Sequence, residues 1–153
     1  MNALELKIPP LVLVLVLALT MWFAALQLPS LSFTLPWGHG LAVTISGVGI
    51  FFLLAGIYAF QKAKTTLNPT TPDATSSIVT SGVYRLSRNP MYVGFLLVLA
   101  GWAIFLSHPL PFLLLPVFVA YMNRFQISPE ERVLSAKFGE EYDTYKQSVR
   151  RWL

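Results

Sequence analysis

Apolar and polar positions in this chain alternate in long blocks, without the short periods that mark soluble helices or strands. Apolar runs fill 9–28, 41–60, 91–106 and 110–124, the last weakening after Met122. The first two have the length of about 20 residues that a bilayer core demands of a helix. Only Ser107-His108-Pro109 separates the third from the fourth, which predicts a tight helical hairpin. Its arms are short and Pro111 and Pro116 interrupt the second, so tilting, kinking or extension by polar flanks is expected. Gly47, Gly49 and Gly56 in the second run suit close helix approach in lipid.

Two polar blocks complete the pattern. The first, 61–90, is rich in Thr, Ser, Pro and Asn and has the composition of a linker. Within it, Ile78-Val79 followed by Thr80-Ser81-Gly82 offers an apolar patch and a turn that lay the loop back on the protein. The second, 128–151, places Leu134, Phe138, Tyr142, Tyr145 and Val149 at three- or four-residue spacing, an amphipathic helix. With no internal repeat, the expectation is one domain, 1–153. It is an all-α integral membrane protein with about four transmembrane helices and a C-terminal cytoplasmic amphipathic helix.

Composition agrees: of 153 residues, 55% are hydrophobic and only 12% charged, too apolar for a soluble domain of this size. No small-x-small cleavage pattern follows the first run, so it reads as a retained span and not a signal peptide. The formal net charge of +4 comes from basic residues scattered between apolar runs. That is no nucleic-acid footprint, and anionic membrane lipids are the partners it suits. With four spans, all eleven Lys and Arg fall on one side, while 29–40 and 107–109 opposite carry no charge. Both termini are therefore expected in the cytoplasm. Cysteine is absent, which excludes disulfides and thiolate chemistry, and His39 and His108 in separate breaks make no metal site.

Candidate chemistry gathers at two helix starts. Asn89-Pro90 pairs a favoured N-cap with a residue suited to the first helical position, leaving free N–H groups for an anion beside Arg85 and Arg88. The plain alternative is a capped span with snorkelling arginines. Ser128-Pro129-Glu130-Glu131 reads as a second start, with Glu131 completing a capping box and Glu130 left over as a binding candidate. Tyr84, Tyr92, Tyr142 and Tyr145 lie around these starts, as interfacial belt residues or as an aromatic wall for a cationic ligand. Arg124 either neutralises an anionic lipid substrate or serves as a positive-inside anchor.

Three segments in order, SGVYRLSRNPMYVG, RFQISPEERVL and KFGEEYDTYKQSVRRW, resemble the isoprenylcysteine carboxyl methyltransferase family, including its bacterial members and relatives that methylate phospholipid amines. The resemblance covers about 68–152. It implies a multi-pass protein of a bacterial inner membrane that binds S-adenosyl-L-methionine in a cytoplasm-facing pocket. Carried over, the cofactor-binding residues are Ser76, Ser77, Ile78, Val79, Tyr84, Asn89, Pro90, Met91, Tyr92 and Glu130, with Arg124 and Glu130 as catalytic candidates. Two positions depart from the pattern: Asn89 stands where animal members have His, and Gln126 where they have a substrate-binding Arg.

Methyl transfer from a sulfonium is a displacement that needs positioning and a suitable field, with neither metal nor covalent nucleophile, so the missing Cys and His cluster are no obstacle. The expected function is S-adenosylmethionine-dependent methylation of a lipophilic acceptor from the bilayer, at a prenylcysteine-like carboxylate or a lipid amine, thiol or hydroxyl. The alternatives are an NADPH-dependent reductase of sterol or enone type, and a non-enzymatic lipid-binding protein. Four runs free of Asp and Glu weigh against ion-coupled transport.

Overall fold

The computed structural model describes residues 5–64 and 76–153. Residues 1–4 and 65–75, the middle of the polar loop expected to hold cofactor, lie outside the described residues. Pro10 opens α1, Pro10–Gln27, with the proline at its first turn, and Pro29 follows its end. Helix α2, Gly38–Lys62, starts after Trp37, whose backbone is left-handed at φ 63°. Helix α3, Pro90–Leu106, stops where Ser107 turns left-handed at φ 49°.

Helices α4, Pro109–Phe112, and α5, Leu114–Tyr121, a π-helical segment, Met122–Ile127, and α6, Ser128–Phe138, run on as a single rod. Helix α7, Glu140–Ser148, follows Gly139, whose φ of 55° only glycine adopts readily. Among the described residues, three helical stretches are long and apolar enough to cross a membrane: Pro10–Gln27, Gly38–Lys62 and Pro109–Phe138. Helix α3, also apolar, has 17 residues. Among the described residues there is no strand.

One expectation needs correction. Ser128-Pro129 is not a helix start, and 128–151 is not one separate helix. Ser128 has helical backbone and donates its N–H to Asn123 O, five residues back. A proline inside a helix clashes with the carbonyl four residues earlier and has no N–H to give it. The wider π turn just before Pro129 relieves that conflict. The capping box is therefore not formed, and the amphipathic stretch breaks at Gly139.

Helix α3 lies at the centre. Against α2 the backbones nearly touch: a Cβ on Gly49 would sit 2.7 Å from Gly94 O, and one on Gly94 would sit 2.6 Å from Gly49 O. Gly56 is equally committed, its missing Cβ leaving room for the Met91 side chain, whereas Gly47 faces open space. On the other side Val14, Leu17 and Met21 of α1 share a core with Leu99, Phe118 and Met122. The outer faces are apolar, with Leu15 and Phe23 of α1 and Phe51 and Leu54 of α2 all exposed, as a lipid-facing surface requires.

Candidate active site

At the end of the bundle where α3 begins, four parts of the chain converge: the loop segment 76–89, the N-terminus of α3, the π segment with α6, and α7 with the tail after it. Val79 and Tyr84 are buried against Ala59 of α2, with Phe60, Ala63 and Val83 packed on them, so the apolar patch does hold the loop down. The Tyr84 ring meets Phe60 edge-on, centroids 5.4 Å apart. Tyr145 reaches across from α7 and donates its hydroxyl to Tyr84 O at 2.6 Å.

The polar centre is Glu130. Tyr92, the third residue of α3 and 6% exposed, donates its hydroxyl to Glu130 Oε1 at 2.7 Å. Buried Gln126, one helical turn before Glu130, donates Nε2 to the same oxygen at 2.6 Å. Both donors are neutral. Glu131 next to it has the opposite surroundings: Arg88 Nη2 and Arg151 Nη2 pair with its two oxygens. Its side chain is 12% exposed and that of Arg88 11%. Arg88 also donates to Lys146 O and Val149 O, so one guanidinium ties the segment just before α3 to α6, to α7 and to the tail.

Asn89 does stand at the N-cap position with Pro90 after it, but its side chain makes no cap. It donates instead to Arg151 O at 2.9 Å, and Ser87 Oγ donates to the same carbonyl. Trp152 Nε1 donates to Asn123 Oδ1 of the π segment. Burial pushes the Tyr84 and Tyr142 hydroxyls well up from the ordinary tyrosine range, and pushes Tyr145 up to about 12, so all three stay protonated donors.

The structure thus brings Tyr84, Asn89, Pro90, Met91, Tyr92 and Glu130 to one end of the bundle. Ser76 lies exposed, Ser77 and Ile78 are half-buried and Val79 is buried beside Tyr84. Arg124 is exposed on the π segment, and no hydrogen bond or ion pair joins it to Glu130. Taken singly in the sequence, Arg88 suits a snorkelling anchor beside a helix start and Glu131 a cap. The conjunction of the two with Arg151 had no local signal, because the three residues lie far apart in the chain. Among the described residues no group of His, Asp and Glu could hold a metal.

Residues 37–141 match the phospholipid methyltransferase family. An uncharacterised protein of Haemophilus influenzae is 48% identical over 63 residues, which is 41% of this chain and all of that protein. Protein-S-isoprenylcysteine O-methyltransferase A of Arabidopsis thaliana is 31% identical over 113 residues, 74% of this chain and 57% of the relative. The mouse protein-S-isoprenylcysteine O-methyltransferase is 37% identical over 75 residues, 49% of this chain but only 26% of the relative. The chain therefore spans little more than half, or less, of the isoprenylcysteine methyltransferases it matches. No solved structure matches it.

Proposed function

The chain belongs to the phospholipid methyltransferase family, and on that basis we propose that it methylates a lipophilic acceptor at the membrane surface with S-adenosylmethionine as donor. The observation that carries this reading is Glu130: a carboxylate turned inward, held among the described residues by the neutral donors Tyr92 and Gln126. Among the described residues, no Lys or Arg forms an ion pair with it. Such a group lacks a cationic complement, and a sulfonium beside tyrosine faces supplies one. S-adenosylmethionine, when bound, provides an electrophilic methyl group on positively charged sulfur. Tyr92 and Gln126 fix the carboxylate, Tyr84 and Val79 wall the site, and the tail over Asn89 keeps water out.

The same charge pattern selects among acceptors. With the single positive charge of the sulfonium already balanced by Glu130, a carboxylate acceptor would bring a negative charge without a partner, and like charges about 4 Å apart repel by about 4 kcal/mol at a partly buried site. Arg88 and Arg151 cannot offset this, being committed to Glu131. A lipid amine meets no such cost, and Glu130 can take the proton that an ammonium sheds to become a nucleophile. Exposed Arg124 is left for the anionic headgroup of such a lipid. In this reading α3 is the third of four spans, and the end carrying the basic residues faces the cytoplasm.

Calorimetry on detergent-purified protein should show saturable binding of S-adenosylmethionine, weakened about a hundredfold by Tyr92→Ala or Glu130→Gln, a loss of about 2.7 kcal/mol. No binding to the wild type would end the methyltransferase reading. Incubation with methyl-labelled donor and bacterial lipid extract should give a label that survives mild alkali, as N-methyl groups do. A label released as methanol marks a methyl ester and overturns the amine assignment alone.

A further inference from the structure

Glu5 is a buried carboxylate that this mechanism does not use. Its side chain is 4% exposed and pairs at 2.7 Å with Arg132 Nη2 of α6, a side chain 59% exposed. The next residue, Leu6, has φ 59°, a left-handed backbone that leucine adopts only when neighbouring contacts hold it there. Those contacts are the ion pair on one side and, on the other, the Leu6 N–H donated to Phe125 O at 3.0 Å.

Phe125 is not an arbitrary acceptor. It lies four residues before Pro129, so its carbonyl is the one that an ordinary helix would have bonded to the N–H that proline lacks. Leu6 supplies the missing donor from outside the rod. The break that Leu6 stabilises separates α5 from α6 and contains Gln126, whose amide reaches Glu130 in the next turn. A return to regular helix there would remove the extra residue of the π turn. The helix beyond would then rotate by about 100° and carry Glu130 away from Tyr92.

We propose that Glu5 and Leu6 form a latch: a strap from the N-terminal segment that holds the π register and thereby positions Gln126 and Glu130 against Tyr92. Glu5 is a positioning residue, since it touches Arg132 and none of the reacting groups. An ion pair whose cation is largely exposed adds little net stability, and its use here is to fix register.

The test uses the full chain in detergent, with Glu5→Ala, Arg132→Ala and the charge-swapped pair Glu5→Arg with Arg132→Glu. Arg132→Ala alters a largely exposed side chain and serves where Glu5→Ala fails to fold. Amide hydrogen exchange at 122–128 should speed up about tenfold in the single variants while α2 and α3 stay protected, with the swap returning it towards wild type. Affinity for S-adenosylmethionine should fall about tenfold in parallel and recover in the swap. Unchanged exchange at 122–128 in Arg132→Ala, or a swap that restores nothing, overturns the latch. The affinity arm rests on the methyltransferase reading and the exchange arm does not. A wild type that binds no donor therefore sinks that reading and leaves the latch to be decided by exchange.

Discussion

The two ends of α3 solve the same problem, burying polar groups among apolar helices, with opposite results. At its C-terminal end His108 is fully buried and saturated: Nδ1 accepts the Leu110 N–H at 3.2 Å, which leaves Nε2 to donate to Leu28 O at 2.9 Å. Phe33 N–H on Ser107 O closes the same loops together. At the N-terminal end Glu131 is saturated by two arginines, but Glu130 beside it has neutral partners only. On the proposed reading, the carboxylate paired with cations belongs to the scaffold and the one held by neutral donors belongs to the site.

Substitutions at each end separate these roles. Arg88→Ala should have the largest effect on stability. It leaves Glu131 with Arg151 alone and strips the tail carbonyls of their donor, at about 3 kcal/mol, or about 10 °C in a thermal unfolding scan. His108→Ala orphans a buried N–H and a carbonyl at the opposite end, for about 2 kcal/mol. Donor affinity measured on the folded fraction should not move, and a matching loss of affinity would erase the distinction between the ends. Arg124→Ala is the mildest, with stability and donor affinity expected within twofold of wild type, because its side chain is exposed and unbonded to Glu130. Any change should be confined to the KM for the lipid acceptor.

Much of the helical layout was legible in the sequence. The starts at Pro10 and Pro90 and the hairpin at Ser107-His108-Pro109 follow from apolar run length and proline position, which are local signals. The roles of Gly49 and Gly56 were legible as small residues, though not which helix they would meet. The same local logic failed at Ser128-Pro129, which looks like a helix start and lies inside a rod. Pro129 marks a conflict that a helix must relieve, but nothing in Met122–Ile127 says that a π turn relieves it, and the donor to Phe125 O comes from Leu6, well over a hundred residues away in the chain. Of the site, Tyr84, Tyr92 and Glu130 could be singled out one by one. The network of Arg88, Glu131 and Arg151 could not, since charge pairing across a fold leaves no periodicity to read.

The close approach of α2 and α3 limits where an acceptor can come from. At Gly49 and Gly94 the two backbones meet without a side chain between them, so this crossing cannot open by a change of rotamer. A lipid entering sideways from the bilayer needs a seam that yields. The other flank, where α1 rests on α3 and α5 through Val14, Leu17, Met21 and Phe118, is packed differently. These are branched, flexible and aromatic side chains that can change rotamer. The central helix is thus held backbone to backbone on one side and packed through movable side chains on the other.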